Sequence, residues 1–360
     1  MTARERMLSA YHNQKADRTA LGIYSRYLPR GSAEREFRGC GLGIIEYYPV
    51  TTMLAPPWHN YSGYISEVKN VDLDIRYIWE QGHLYERRTY QTPVGKVYAE
   101  IGQSAGAGSE HIRKYYIKDI EDYKILQYIV ENTVIKSNES GIQQKKHDLG
   151  EDGVVLGRLD RSPYQKLLIE LAGAEQFLVD LYTDPDPVLE LMNAMEAKMD
   201  EVFDMAASSS ADVIWQPENV TSDMTPPDNF EKYCMPFYNK RCKILRQAGK
   251  PYVFHLDGKI KALIDHLNNT DFDVIESMSL PQIGGDYTFT EAVNAFPGKA
   301  IIPNFPSNLC CESDETIEKF LLNFKAEAQN SPCMLQVSED IPEDQTSRIL
   351  TLICSVFGDK

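Results

Sequence analysis

The sequence predicts an α/β protein built as a (β/α)8, or TIM, barrel with an antiparallel β elaboration in its N-terminal part. From about residue 117 onward, short apolar runs alternate with longer helical segments in at least five consecutive β-then-α units. That alternation is typical of a parallel sheet with crossover helices. The length of 360 residues suits such a barrel. The chain also lacks the glycine-rich first turn that a doubly wound nucleotide-binding sheet would carry.

The N-terminal segment, residues 1–116, is predicted to hold the first barrel elements and a β-meander. Its first elements are a helix over 3–14, a strand over 19–24, a helix over 32–38 and an apolar run over 42–50. Residues 65–102 then alternate apolar and polar side chains, with a turn at Thr92-Pro93-Val94-Gly95. This pattern indicates antiparallel strands inserted beside the main fold.

Residues 117–360 are predicted to complete the barrel and to form one structural domain with the first segment. The predicted strands cover 153–157, 212–216, 252–254, 273–277, 300–303 and 333–337. The predicted helices cover 120–136, a segment beginning at Ser162-Pro163, 175–182, 187–208, 227–247, 259–267, 288–296, 314–328 and 343–356. The polar stretch 137–152 is assigned to a loop or a helix end. Ser162 and Pro163 match the N-cap and first-turn preferences of a helix.

Charge and composition exclude several classes of partner. The net charge is −16, and an acidic chain is poorly suited to bind nucleic acid or an anionic membrane through bulk electrostatics. No apolar run reaches the 18 or so residues that a membrane span requires. The seven cysteines form no CxxC pair and are odd in number. We therefore expect a cytoplasmic protein without a disulfide framework.

Polar side chains follow most of the predicted strands, where a barrel would bring them to one face. The stretch Phe254-His255-Leu256-Asp257-Gly258 is the clearest case, because residues two apart on a strand share one side. Turn chemistry alone accounts for Asp, Asn and Gly at strand ends, but not for histidine and glutamate. The strand-end set is Asp160, Glu218, Asn219, His255, Asp257, Glu276, Asn304, Ser338 and Glu339.

This set supports two kinds of chemistry, and the sequence leaves both open. His255, Glu276 and Glu218 could bind a metal, since imidazole nitrogen with carboxylate oxygen suits zinc and also iron or manganese. Alternatively, Glu218, Asn219 and Asp257 form the catalytic group, in which neighbouring carboxylates raise one another's pKa for acid–base work.

Aromatic and amide side chains near the strand ends are candidates for contacting a flat substrate. We assign Tyr24, Trp215 and Asn304 to substrate binding, because each lies at or beside a predicted strand end. The loop Trp58-His59-Asn60-Tyr61 could close over the mouth of the barrel.

Several short motifs, in this order and spacing, resemble the uroporphyrinogen decarboxylase superfamily, and most closely its corrinoid-linked methyltransferase branch. They are Thr92-Pro93-Val94-Gly95, Ser162-Pro163, the 171–177 segment, Asp184-Pro185, Phe254–Gly258, Asp273–Glu276, Gly284-Gly285-Asp286 and Ile302–Pro306. The resemblance implies a TIM barrel with its active site at the carboxyl ends of the strands. It covers most of the chain and is best between about residues 150 and 340.

The resemblance also implies a reaction, a cofactor and a partner. Members of this branch move a methyl group from a methoxylated, methylated or methylamine-type compound to the Co(I) corrinoid of a partner protein. Some members bind zinc through a His-x-Cys pair and a later Cys. Here Asp257 and Ser338 stand at those two positions, which suits an oxygen- or nitrogen-bound methyl group better than thiol activation.

Two alternatives stay open beside methyl transfer. One is a decarboxylase-like lyase, for which Arg26 and Arg30 would serve as N-terminal basic groups. The other is a catalytically lapsed barrel that acts as a ligand-binding subunit. A homodimer is compatible with methyl transfer and with both alternatives.

Overall fold

The computed structural model describes residues 1–57, 66–103 and 110–358, apart from the side chain of Gln103. The chain divides into two compact units that interleave in sequence. The first comprises Met1–Val50, Glu139–Arg158 and Ala206–Lys360, and the second comprises Thr51–Asn138 and Leu159–Met205. The boundary drawn from the sequence between residues 116 and 117 therefore falls inside the second unit.

The described strands, in chain order, are β1 (Ala20–Tyr24), β2 (Gly43–Pro49), β3 (Asp72–Glu80), β4 (His83–Thr92), β5 (Gly95–Gln103), β6 (Glu110–Lys114), β7 (Gly153–Arg158), β8 (Val213–Gln216), β9 (Tyr252–His255), β10 (Val274–Met278), β11 (Ala300–Pro303) and β12 (Met334–Val337). The described helices are α1 (Ala3–Tyr11), α2 (Ser32–Gly39), α3 (Glu121–Asn132), α4 (Glu139–Leu149), α5 (Pro163–Lys166), α6 (Ala174–Thr183), α7 (Pro185–Ser208), α8 (Pro227–Asn229), α9 (Met235–Gln247), α10 (Ile264–Asn268), α11 (Phe289–Ala295), α12 (Asp314–Ala328) and α13 (Glu343–Phe357).

The first unit is a closed parallel barrel, which confirms the predicted fold. Its eight strands pair in the order β11-β10-β9-β8-β7-β2-β1-β12. Parallel bridges from Ile301 to Cys333 and from Asn304 to Gln336 join the two ends of that order. Each barrel strand therefore pairs with the barrel strand that follows it in the chain, and the last pairs with the first, as in a TIM barrel.

The barrel interior is filled by the inward-facing side chains of alternate strand positions. One buried core contains Val154 and Leu156 of β7, Val213 of β8 and Ala300 and Ile302 of β11. Every second residue of a strand points to the same side, so the inward-facing positions can be followed from these residues to the carboxyl end of each strand. The residues of that last layer are therefore the ones that face the mouth of the barrel.

Helix α1 joins this core from the amino-terminal side of the strands. Met7, Ala10 and Tyr11 are buried in the same cluster. Gly43 at the start of β2 makes the close approach possible, because a Cβ there would lie 2.2 Å from the Met7 Sδ atom. A capping box formed by Thr2 and Glu5 fixes the first turn of α1.

The second unit contains the predicted antiparallel elaboration, with the strand order β3-β4-β5-β6. The β4 and β5 strands meet at the turn that the sequence predicts at residues 92–95. Tyr90, Val97 and Ala99 are buried on one side of the sheet, and Ile129 and Val130 of α3, a helix that contacts β4 and β5, are buried as well. No helix among the described residues is long and apolar enough to span a membrane.

Three local predictions are wrong. The polar stretch 137–152, assigned to a loop or helix end, contains helix α4. The helix predicted over 259–267 is reduced to a short 3-10 turn followed by α10. The sequence predicts no disulfide framework, yet a disulfide joins Cys40, directly after α2, to Cys354 of α13. Barrel closure brings these two cysteines together across 314 residues of sequence, a distance that no local motif reveals.

Candidate active site

A buried carboxylate, that of Glu276, lies at the centre of the polar layer at the barrel mouth. Its oxygens accept hydrogen bonds from Tyr24 Oη at 2.7 Å, from Trp215 Nε1 at 2.8 Å and from His255 Nδ1 at 2.8 Å. Gln336 Nε2 also donates to it. These residues come from five different strands, so closure of the barrel is what assembles the cluster.

His255 forms a buried ion pair with Glu276 and faces a second carboxylate. Its Nε2 atom lies 3.7 Å from Asp257 Oδ2. Burial by itself lowers the pKa of His255, but the charge of Glu276 and the hydrogen bond to Asp257 outweigh it and raise that pKa to about 10. For Glu276, burial raises the pKa, and the charge and hydrogen bond of His255 lower it below its usual range. The ring is therefore an imidazolium at neutral pH.

Asp257 is held in place by the loop that follows β8. Asn219 Nδ2 donates to Asp257 Oδ1 at 2.5 Å, and Asn219 N donates to His255 O at 2.8 Å. Asn219 adopts a left-handed backbone with φ of 51°, a conformation that asparagine tolerates better than most residues. Gly258 provides the sharp turn after Asp257, with φ of 120°.

A bulge at Ser277 shifts the pairing of β10 with β11 beside the cluster. Ser277 has φ of 57°, and the register to β11 shifts between Glu276 and Met278. Its hydroxyl lies 2.7 Å from that of Ser338, which in turn donates to Asn304 Oδ1 at 3.0 Å. Bulges and left-handed residues of this kind are frequent next to active sites.

Aromatic rings form one wall of the mouth. The rings of Trp215 and Tyr47 stack with centroids 5.6 Å apart, and Tyr24 stands edge-on to both of them. The Arg158 guanidinium lies over Trp215 at 5.6 Å from the ring centroid. Tyr24 and Trp215 are thus at the site, as the sequence predicts, but both also bond Glu276. Their assignment to substrate binding stays a prediction.

Glu339, directly after β12, is a titratable group that the sequence places at a strand end without a role. Burial and the nearby charge of Asp257 raise the pKa of its carboxyl to about 7, although His255 and Arg26 act in the opposite direction. A carboxylic acid that titrates near neutral pH can donate and accept protons under working conditions. The sequence signal was the run Ser338-Glu339-Asp340, which follows an apolar strand.

Glu218 occupies a different environment from the cluster. It is completely buried, and Tyr238 Oη of α9 donates to its carboxylate. Glu218 lies beyond the last residue of β8, after a turn in which its N–H donates to Gln216 O at 2.9 Å. The bond from Tyr238 places its carboxylate beside α9. Its roles as catalytic residue and metal ligand stay sequence predictions.

The donor set at the mouth does not suit a zinc ion. The carboxylate of Glu276 already accepts hydrogen bonds from Tyr24, Trp215, His255 and Gln336, so its oxygens are engaged by protein donors. Within residues 1–57, 66–103 and 110–358, no group of three or more His, Cys, Asp or Glu side chains is arranged to hold a metal. We therefore route no chemistry through a metal ion here.

Two further sequence predictions concern other parts of the chain. Asp160 belongs to the second unit, where it pairs with Lys166. The loop Trp58–Tyr61 lies outside the described residues.

The fold and the cluster together define a (β/α)8-barrel protein whose ionisable groups converge at the carboxyl ends of the strands, where barrel enzymes carry their active sites. The chain belongs to the uroporphyrinogen decarboxylase family: the model of that family matches residues 142–327, which is more than half of the 360 residues.

A solved structure shares the fold. A methyltransferase from Methanosarcina mazei aligns over 99% of each chain with a TM-score of 0.59 and 12% identity, a likeness that shows the fold alone. The GH18 chitinase ChiB of Flavobacterium johnsoniae aligns over 63% of this chain and 82% of its own, with 13% identity and a TM-score of 0.36, too low for any argument. No curated protein sequence matches the chain at the threshold applied.

Proposed function

We propose that the protein is a methyltransferase that moves a methyl group from a small methoxylated or methylated compound to the Co(I) corrinoid of a partner protein. The observation that carries the proposal is the pairing of two acids at one barrel mouth. The His255 imidazolium is fixed by Glu276, and the Glu339 carboxyl titrates near neutral pH. Family membership and the fold shared with a methyltransferase agree with it.

Transfer of a methyl group from an ether requires an acid. The bond between carbon and oxygen breaks with its electron pair left on oxygen, and an alkoxide is a poor leaving group. A proton from the Glu339 carboxyl would convert the departing oxygen to a hydroxyl group. The corrinoid supplies the nucleophile that takes the methyl group.

The remaining residues of the mouth would bind and orient the donor. The half-buried ring of Tyr47, supported by the Trp215 ring stacked against it, would offer a flat apolar surface to an aromatic ether. The fixed positive charge of His255 would stabilise negative charge as it develops on the leaving oxygen. Asn219 keeps Asp257 beside that imidazolium and so holds the charge in place.

The charges at the mouth favour this reaction over decarboxylation of a porphyrinogen. Asp257, Glu339 and Asp340 lie near one another, since each of the two aspartates raises the pKa of Glu339. Such a group of carboxylates would repel a substrate that carries many carboxylates of its own. A small neutral ether or a methylated amine would meet no such repulsion.

The decisive assay combines the protein with cob(I)alamin and a panel of methyl ethers and methylamines. We expect the cob(I)alamin absorbance to be replaced by that of methylcobalamin with at least one donor. Uroporphyrinogen is assayed in parallel, and its decarboxylation without any methyl transfer would overturn the proposal in favour of the lyase. Donors that raise the melting temperature without turnover would instead indicate a ligand-binding subunit.

The pH profile of methyl transfer tests the role of Glu339. An acid with a pKa near 7 is protonated below that pH, so the rate should fall as the pH rises through about 7. We expect Glu339→Gln to lower kcat by about 100-fold and to remove this descending limb.

Glu318→Gln, on the exposed face of α12, is the matched control and should leave the profile unchanged. A profile that keeps its limb near pH 7 in Glu339→Gln would assign the proton transfer to another group.

A further inference from the structure

Strand β3 carries an apolar face that a single copy of the chain leaves largely uncovered. Its residues alternate, so that Leu73, Ile75, Tyr77 and Trp79 share one side of the strand. This pattern is typical of a strand with one buried face. Yet Tyr77 is 66% exposed and Trp79 is 73% exposed.

The same side of the sheet is buried farther from β3. Tyr90 of β4 lies opposite Leu73, and Val97 of β5 lies opposite Tyr90, and both are fully covered. Beside Trp79, by contrast, its partner Leu84 is 41% exposed. The apolar side therefore continues outward past the part that the second unit covers.

Strand β3 is also the terminal strand of its sheet, in the order β3-β4-β5-β6. Its outer backbone groups have no strand partner among the described residues. A nine-residue edge of this kind is a ready template for pairing with another strand. The edge of β3 is therefore suited to pair with an extended strand of a partner.

The charges of β3 are complementary to those of a second copy of the same strand in one antiparallel register. Antiparallel pairing of β3 with itself must keep apolar opposite apolar side chains, because a slip of one residue would reverse the faces. The two-fold axis of such a pair passes through one residue, the centre, which lies opposite its own copy. Centres at Ile75, Arg76 and Tyr77 each give an overlap of at least seven of the nine residues. A centre at Arg76 puts that arginine opposite its own copy, and one at Tyr77 puts Asp74 opposite Glu80.

Only the centre at Ile75 avoids a like-charge pair. There Asp74 lies opposite Arg76 of the second copy, twice by symmetry, and Leu73 lies opposite Tyr77. Within one copy Asp74 and Arg76 pair at 2.7 Å, and both side chains are more than half exposed, so they are available to bond across the interface. Opposite-charge and aromatic–aliphatic cross-strand pairs are both stabilising.

We propose that the protein forms a symmetric homodimer in which β3 pairs antiparallel with β3 of the second copy, centred on Ile75. The two four-stranded sheets then form one continuous sheet of eight strands. This dimer does not depend on the proposed methyl transfer, and either could be wrong alone.

Engineered cysteines test the register. Directly opposed residues of antiparallel strands have Cα atoms about 4.5–5.5 Å apart, which is within disulfide range. In a Cys311→Ser background, which removes the exposed free thiol, Ile75→Cys should form a disulfide-linked dimer under mild oxidation. Tyr77→Cys is the matched control and should not, because its opposite residue is Leu73. Cross-linking of Tyr77→Cys alone, or of neither variant, would overturn the proposal.

A charge exchange tests the interface without cysteines. Light scattering of the unmodified protein should give twice the chain mass of 41.0 kDa. Arg76→Asp places aspartates opposite one another and should weaken dimerisation by about tenfold or more. The exchange Asp74→Arg with Arg76→Asp restores the opposite charges and should restore the dimer. A monomer at every concentration, or a dimer indifferent to Arg76→Asp, would contradict the pairing.

Discussion

Replacing His255 with alanine is expected to lower the free energy of unfolding by about 3–5 kcal/mol at neutral pH, the usual loss when one partner of a buried ion pair is removed. Glu276 is completely buried and receives the imidazolium at 2.8 Å. Its other donors, Tyr24, Trp215 and Gln336, are neutral and cannot replace the lost charge. Urea denaturation at pH 7 measures the difference.

Two further variants separate charge from packing. His255→Ala combined with Glu276→Gln should recover part of the loss, because the amide oxygen can still accept hydrogen bonds and no charge is buried. His147→Ala, at a histidine side chain that is 85% exposed, should change stability by less than about 0.5 kcal/mol. A loss below about 1 kcal/mol for His255→Ala would mean that the pair is not charged.

The pH dependence of the same pair has a defined sign. The pKa of His255 is raised from 6.5 to about 10 in the folded protein, so the folded state binds its proton more tightly. This contribution to stability is complete below about pH 6.5 and is lost as the pH rises through about 10. The double variant His255→Ala/Glu276→Gln should lack that descending slope in the same denaturation series.

Much of the fold and part of the site follow from the sequence alone. The barrel could be predicted from the short apolar segments that alternate with helical ones, because this alternation leaves few alternatives to a parallel sheet. Inward-facing residues at the carboxyl ends of strands, such as His255 and Glu276, lie together as the sequence predicts. Glu218 instead contacts Tyr238 of α9, because a turn after Gln216 ends the alternation of β8 before residue 218.

Other features depend on contacts that sequence reasoning does not reach. The disulfide between Cys40 and Cys354 needs the closed barrel. The raised pKa of Glu339 depends on burial and on Asp257, which lies on another strand end. Lys166 and Glu170, four residues apart, look in sequence like an exposed helical pair, yet both are buried.

Replacing Lys166 with methionine is expected to destabilise the second unit by about 3–5 kcal/mol, since it leaves two buried carboxylates without their shared cation. The Lys166 ammonium donates to Asp160 and to Glu170, each at 2.9 Å, and is completely buried. Burial lowers the pKa of Lys166, but the charges of these two carboxylates outweigh it and raise that pKa above its usual range. Methionine keeps nearly the same length without the charge, so packing is changed little.

The network around Lys166 explains why the loss should be large. Asp160 also accepts Leu54 N at 3.0 Å, and Glu170 also accepts Arg161 Nε at 2.9 Å. The lysine thus lies between two carboxylates that also hold the backbone near residue 54 and the side chain of Arg161. Without its charge, their mutual repulsion acts in a low-dielectric interior.

Denaturation of Lys166→Met beside Lys319→Met, at an exposed lysine of α12, measures this effect against a matched control. The triple variant Lys166→Met, Asp160→Asn and Glu170→Gln removes the carboxylate charges that Lys166 compensates and should regain stability relative to Lys166→Met alone. Equal stability of Lys166→Met and Lys319→Met would show that water or another cation compensates the carboxylates. Regain in the triple variant would instead establish that Lys166 stabilises the unit by compensating carboxylate charge rather than by packing.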